Sequence, residues 1–297
     1  MEIPNQLDPW RKRGEDIGMA GRYVNPYTDF GFKKLFGEEA SKELLRDFLN
    51  ELLPPHHRIA ELSFQPGNQL PELVESRSAV FDIFCQSASG ERFIVEMQKA
   101  KQNYFKDRTV FYSTFPIREQ AQKGDWNFRL AAVYCVGILD FEFEPDGPRQ
   151  DVLTRVELKD QHNEVFYDKL TFLYLQMPYF TKGETELVTH FDKWLYFLKN
   201  LATLEDVPAI LREAHFEHGF HLAEIANFSP DERLSYERSL MVYRDLKNVI
   251  DTAREEGREE GREEGRELER TLIREQLLAR GIDPSLIEGI LGPKAGD

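Results

Sequence analysis

The spacing of apolar residues changes along the chain from helical to alternating and back, and each change marks an element. Phe32, Leu35, Phe36, Leu44, Leu45, Phe48, Leu49 and Leu52 recur at helical steps broken around Gly37, and Thr28 and Asp29 stand where a cap belongs. Pro54-Pro55 ends that stretch, residues 59–64 alternate as a strand, and Pro66-Gly67 closes it. Two short apolar runs at about 80–98 flank Ser87-Ala88-Ser89-Gly90, which reads as a β-hairpin. Residues 103–123 return to helical spacing through Tyr104, Arg108, Phe111, Tyr112 and Phe115, with Asn103 as cap, a kink at Pro116 and a stop at Gly124. LAAVYCVGIL, residues 130–139, is a continuous apolar run of strand length. The order helix, strand, strand, strand, helix, strand predicts an α/β (α+β) fold, with a four-stranded mixed sheet flanked by helices.

Beyond Phe143 the pattern becomes mostly helical. FEPDGPRQD is a loop, and LYLQMPYF (173–180) is strand-like. Residues 186–201 place Leu187, Phe191, Trp194, Leu195 and Leu198 on one helical stripe, and further helices are predicted over 208–226 and 230–252. REEGREEGREEGREL (254–268) then repeats every four residues. Its Glu255–Arg258, Glu259–Arg262 and Glu263–Arg266 pairs offer only ~0.2–0.5 kcal/mol each. Gly257, Gly261 and Gly265 cost ~1 kcal/mol each against Ala, so this stretch in isolation is predicted to be a fraying helix. Leu268, Leu272, Ile273, Leu277 and Leu278 follow as an apolar stripe, and Asp283-Pro284 caps a short helix bearing Leu286, Ile287, Ile290 and Leu291. That helical pair is expected to dock on its own domain or on a second copy, the second giving a homo-oligomer through the C-terminal tail; a tethered tail without an assembly role is the alternative.

The hairpin carries the first chemistry. If Ser87 faces Glu91, paired residue numbers sum to 178 and Asp82 lies opposite Glu96. Phe81, Ile83, Cys85, Phe93, Val95 and Met97 then share an apolar face, while Asp82, Glu96 and Gln98 share the other with Val80, Phe84 and Ile94. Like charges directly opposed destabilise a sheet, and a buried unpaired carboxylate is costlier still. A divalent cation between the acids is one resolution; a solvated face with both acids in water is the other.

The chain has 297 residues, 41% of them hydrophobic and 12% aromatic, ample for a large folded core. No apolar run approaches the ~20 residues that span a bilayer, so no membrane partner is expected. MEIPNQLDPWRKRGED has no apolar centre of a secretory signal. Cys85 and Cys135 lie in apolar strand-like runs as reduced core residues, and a cytoplasmic location is expected. The net charge of −15 argues against a polyanionic substrate, but residues 92–130 hold eight Lys or Arg against four Asp or Glu. Local charge beside a site governs phosphate contacts, so a nucleic acid stays in view.

These residues resemble the recombination-promoting nucleases, also described as PD-(D/E)XK family transposases. Asp82 followed by Glu96-Met97-Gln98 resembles their site in its E-x-Q form. Thr28, Asp29, Phe32, Lys33, Leu35, Phe36 and Gly37 match T-D-x-x-F-K-x-L-F-G. Arg108 and Tyr112 match R-x-x-x-Y, Gly124 and Trp126 the following Gly plus aromatic, QMPYF an E-L-P-K-F-like stretch, and Trp194 to Leu198 a W-L-x-F-L helix. The similarity covers about residues 23–200 in order. Phe81 stands where the superfamily has Pro, and Gln98 where it has Lys.

The resemblance implies a restriction-endonuclease-like core and metal-dependent cleavage of DNA. Asp82, Glu96 and the Met97 carbonyl would hold Mg²⁺ (or Mn²⁺), and Gln98 would orient the attacking water. Lys101, Lys106 and Arg108 are candidate contacts to backbone phosphates, with a solvated helix face as the alternative. Asp29 is assigned to the cap rather than the acidic cluster, Lys33 and Lys34 to the surface, and His215, His218 and His221 to a surface helix. The implied organisation is an extension over 1–22, a nuclease core over 23–143, a helical accessory region over 144–252 and a charged repeat with helical tail over 253–297. The alternative function is a catalytically weak or silent nuclease fold that binds DNA or protein.

Overall fold

In the computed structural model, residues 21–65, 82–143 and 150–291 are described. Val80, Phe81, the Pro66-Gly67 turn and residues 1–20 of the expected extension lie outside them. The chain divides into two compact units, Met1–Leu240 and Met241–Asp297.

The first unit opens with α1 (Asp29–Phe36), whose start is fixed by Thr28, the side chain of which accepts the Gly31 N–H. The cap is therefore Thr28, and Asp29 sits in the first turn paired with Lys33 at 2.9 Å. α2 (Lys42–Asn50) follows, and α4 (His190–Asn200) and α5 (Ala214–Ala223) return later in the chain. Their apolar stripes meet around Trp194, which is fully buried with Phe36, Phe48, Phe197 and Phe216 about it. The Trp194 indole N–H is satisfied by Asp47 Oδ2 at 2.9 Å, which also meets His190 Nε2 at 2.6 Å. A large apolar ring thus brings its polar handle to a partner, as burial requires.

The sheet has six strands rather than four, in the order β1-β2-β3-β4-β6-β5. β1 (Leu62–Phe64), β2 (Ile83–Ser87) and β3 (Arg92–Gln98) are antiparallel neighbours. β3, β4 (Val133–Leu139) and β6 (Val165–Gln176) run parallel, and β5 (Leu153–Lys159) closes the edge antiparallel to β6. β5 and the first half of β6 escaped the apolar pattern because they are mostly exposed and rich in charge. The strand-like run from 173 onwards is the buried end of β6, beside β4.

α3 (Phe105–Arg118) crosses from β3 to β4 and covers one face of the sheet. Phe105 and Phe115 pack there with Phe84, Ile94, Cys135, Phe172 and Tyr174. Asn103 does not cap this helix. Tyr104 occupies the cap position in a left-handed conformation (φ 62°) with no side-chain capping bond. On the other face Phe93 stacks on Tyr134, whose hydroxyl meets His57 just after α2.

α6 runs unbroken over Pro230–Ala279, so the helix expected over 230–252 and the repeat that follows it are one element. Its start is fixed by Ser229 and Glu232, which bond each other's backbone N–H groups at 3.3 and 2.9 Å. Lys34 also reaches Glu232 at 2.7 Å, and it is largely buried rather than a surface lysine. In the second unit α7 (Pro284–Leu291) begins as expected after Asp283, whose carboxylate accepts the Ser285 N–H at 2.8 Å, and Ile287 is buried. Among the described residues the Glu and Arg side chains of 254–266 form no ion pairs; the pair drawn nearby is Arg270–Glu267.

Candidate active site at the end of the central strand

The expected hairpin register is the one observed: Ile83 pairs with Val95, Phe84 with Ile94 and Cys85 with Phe93. Continued by one residue, it sets Asp82 across from Glu96. The Asp82 carboxylate accepts the Met97 N–H at 2.9 Å, taking the place of the next ladder bond. In a strand the N–H and C=O of one residue point to the same side. The Gln98 carbonyl bonds the Asp140 N–H on the β4 side, so the Met97 carbonyl points the other way, towards Asp82.

Glu96 is only 7% exposed. Its Oε2 accepts from Gln98 Nε2 at 3.3 Å and faces Arg108 Nη2 at 3.8 Å, while its Oε1 is buried without a partner. Burial, and then the neighbouring Asp82 charge, pushes the Glu96 carboxyl up to about 7, against the lowering pull of Arg108 and Gln98. Burial also raises Asp82, helped by the charge of Asp29 and opposed by the Met97 N–H, Lys33 and Lys99. Two crowded carboxyl groups, one with a bare oxygen, have less positive charge around them than they need.

A cavity of about 20 Å³, room for about one water, adjoins Glu96 and Gln98 beneath Phe105, Thr109 and Tyr112 of α3. Gly137 lies between Glu96 and Tyr174 in one cross-strand row. A Cβ at Gly137 would meet the Tyr174 ring at 3.0 Å, so glycine is what lets that ring lie flat across β4. The Tyr174 hydroxyl is held by Thr109 Oγ1 at 2.8 Å. The isolated glycine inside VYCVGIL was the signal for this close approach; nothing local pointed to Tyr174 or Thr109.

Asp82, Glu96, the Met97 backbone and Gln98 thus come together. The three basic candidates separate. Lys101 is exposed and bonds the Phe143 carbonyl at 2.7 Å, and Lys106 lies over the Phe143 ring. Arg108 instead turns inward between Gln102 and Glu96, and its Nε is buried without a partner. Lys99, half-buried, is a cation that spacing did not single out; burial lowers its proton affinity, and Asp29 and Asp82 act in the opposite direction. The helical histidines go to different partners: His215 to Asp47, His218 to the Ala40 carbonyl and His221 to Asn227.

Among the described residues no group of three or more His, Cys, Asp or Glu side chains is placed to hold a metal ion. The donor set at this site is two carboxylates and a backbone carbonyl, all oxygen, which suits a hard divalent cation. The bare Glu96 Oε1 is the observation that fits such an ion. A larger cleft of about 620 Å³ opens at the start of β3, around Glu91, Arg92, Glu119 and Lys169. Two of its cations have partners within the chain, Arg92 in Glu119 at 2.9 Å and Lys169 in the Leu130 carbonyl at 3.0 Å. Sites in open α/β sheets form at the carboxyl ends of strands, where Glu96 and Gln98 lie.

The sequence model of the PD-(D/E)XK nuclease family transposases matches residues 26–253. No curated protein and no solved structure matches the chain.

Proposed function

The chain belongs to the PD-(D/E)XK nuclease family transposases, and from that premise we propose that it is a divalent-metal-dependent endonuclease hydrolysing phosphodiester bonds in DNA. The observation that carries the proposal is Glu96, buried with one unpartnered oxygen beside Asp82. Asp82, Glu96 and the Met97 carbonyl would hold Mg²⁺ or Mn²⁺. Such an ion acidifies bound water and neutralises charge developing on the phosphate. Gln98 braces Glu96 through its amide, and its own carbonyl oxygen is left to orient the attacking water. Arg108 holds positive charge against Glu96. Lys101 and Lys106 serve as contacts to backbone phosphates, which add affinity without sequence choice. Lys99 supplies a cation close to Asp82, in a site where position 98 is Gln.

DNA recombination, mobile-element movement or defence is the biological setting this activity serves. No helix among the described residues is long and apolar enough to cross a membrane, and the proposed site of action is the cytoplasm. The test is incubation of the protein with supercoiled plasmid and Mg²⁺ or Mn²⁺, beside Asp82→Ala and Glu96→Ala. Nicked or linear product is expected from the wild type and none from either variant. Wild-type levels of cutting in either variant would remove the chemistry from this hairpin. Binding without cutting by the wild type would leave a nuclease fold that serves as a DNA-binding module.

A further inference from the structure

Among the described residues, those other than glycine with a left-handed backbone are Tyr104, Phe128 and Asn163. Asparagine tolerates that conformation, whereas a bulky ring there is an outlier that the surrounding fold must hold in place. Phe128 leans its ring on Trp126, with centroids 4.7 Å apart. Tyr104 (φ 62°) leaves its side chain 80% exposed, and among the described residues neither its ring nor its hydroxyl has a partner. The backbone strain at Tyr104 thus holds an aromatic ring out in solvent, where the packing of the chain gains little from it.

The place of that ring on α3 identifies what it meets. Tyr104 stands at the start of the helix, its carbonyl accepting the Arg108 N–H at 2.9 Å. A helix turns by about 100° and rises by about 1.5 Å per residue, so Phe111, seven positions on, follows Tyr104 within about 20° round the axis and about 10 Å along it. Phe111 is 58% exposed, and its ring is backed edge to face by Phe115 at 5.1 Å. Arg118, also exposed, extends the same line by two more turns. Arg108 and Tyr112 lie to one side of it, about 40° and about 80° round the helix from Tyr104. Arg108 faces Glu96 at 3.8 Å, and Tyr112 lines the cavity beside Glu96. The exposed aromatic strip therefore borders the flank of α3 that closes over the acid pair.

We propose that Tyr104 and Phe111 stack on unpaired bases next to the phosphate that enters the Asp82–Glu96 site, so that the substrate is a nucleic acid with a single-stranded segment. In a duplex both faces of a base are covered by its neighbours, and an exposed ring finds a free base face only where the stack is open. Phosphate contacts alone give little affinity to a chain whose net charge is −15. Stacking is not opposed by that charge, and it is tolerant of sequence. The place of the bases beside a cut rests on the nuclease reading above; the stacking surface itself is tested without cleavage. The rings meet a base face, which DNA and RNA share.

The test titrates the full-length protein, in EDTA, into fluorescent oligo(dT) and oligo(U) strands of about 20 nucleotides, longer than one site, and into a duplex of the same length. Anisotropy should show tighter binding to a single strand than to the duplex, and the tighter of the two strands names the source. Tyr104→Ala and Phe111→Leu should each weaken single-strand binding by roughly five- to a hundredfold, the range for one stacked base, and leave duplex binding within about twofold. Tyr104→Phe keeps the ring face and should bind as the wild type does. Tyr104→Gly separates the ring from the strain. Glycine accepts the left-handed backbone, so its unfolding midpoint should rise while its single-strand binding falls as in Tyr104→Ala. A strand of abasic sugars, which keeps the phosphates and removes the bases, should bind more weakly than oligo(dT). Equal affinity for single strand and duplex, an abasic strand bound as tightly as oligo(dT), or Tyr104→Ala and Phe111→Leu binding like the wild type would each overturn the proposal. Far-UV circular dichroism confirms that each variant keeps its helix content. Nothing is cut in EDTA, so a failure here leaves the plasmid result standing, and a failure of cleavage leaves the stacking surface standing.

Discussion

Replacing Glu96 by Gln should make the metal-free protein more stable, by an amount that grows with pH. An unfolded glutamate loses its proton near ~4.3, whereas burial and the Asp82 charge hold the folded Glu96 proton until about 7. Between those values the unfolded chain binds fewer protons than the folded one, so stability falls as pH rises and levels off above about 7. At ~1.36 kcal/mol per pH unit, this one group removes roughly 3–4 kcal/mol across the window. Solvent does not screen this group, because the side chain is almost fully enclosed. The amide has no proton to lose there. It returns about 1 kcal/mol of that gain through its own imperfect burial, and the difference remains measurable. The assay is urea unfolding in EDTA from about pH 5 to about pH 8, for wild type and Glu96→Gln side by side. The two stabilities should start close and diverge as pH rises, with Glu96→Gln ahead at neutral pH. Added Mg²⁺ or Mn²⁺ should then stabilise the wild type, by mass action on the folded state, and leave Glu96→Gln nearly unmoved. Curves that run parallel across the whole range would refute the reasoning, because they would mean that Glu96 titrates alike in both states.

Two further predictions concern the neighbours of that carboxylate. Gln98→Ala should slow cleavage by about ten- to a hundredfold while calorimetric Mg²⁺ affinity stays near wild type, and Gln98→Lys should be tolerated; a collapse of metal affinity in Gln98→Ala would make Gln98 a ligand instead. Reversing Lys101 and Lys106 to Glu should lower the slope of log affinity for duplex DNA against log salt by about two, at ~0.9 per lost phosphate contact, whereas Arg108→Ala should leave the slope unchanged and raise the pH at which Glu96 titrates. An unchanged slope in the double reversal would return those two lysines to an ordinary solvated surface.

The acid pair was legible because a hairpin sets its own register. Once Ser87 faces Glu91, alternation fixes every partner back to Asp82 and Glu96, and the observed pairing of Ile83 with Val95 follows from the same count. What surrounds the pair was not legible, because it arrives across parallel strands. Gly137 and Tyr174 share a row with Glu96, yet they are reached through a crossover helix and a second hairpin whose lengths fix no register. Arg108 shows the same limit from a helix. Its spacing placed it with Lys101 and Lys106, but its guanidinium lies over the Tyr112 ring and faces Glu96. Charge counted along a segment gives the sign of a patch and not the direction of a side chain.

The helix expected over 230–252 continues through the repeat for a different physical reason. Weighing three glycines against three weak ion pairs treats residues 254–266 as a separate helix that must nucleate itself. Nucleation is the costly step, and each residue added afterwards costs little. Here the first turn is already fixed outside the repeat, where Ser229 and Glu232 bond each other's backbone and Lys34 holds the Glu232 carboxyl down at about 2. Propagation then has only to cross the glycines before it reaches Leu268, Leu272 and the chain that turns at Gly281 into α7. The same arithmetic leaves the repeat as the least stable part of α6, since the glycine cost is still present and the expected pairs do not form.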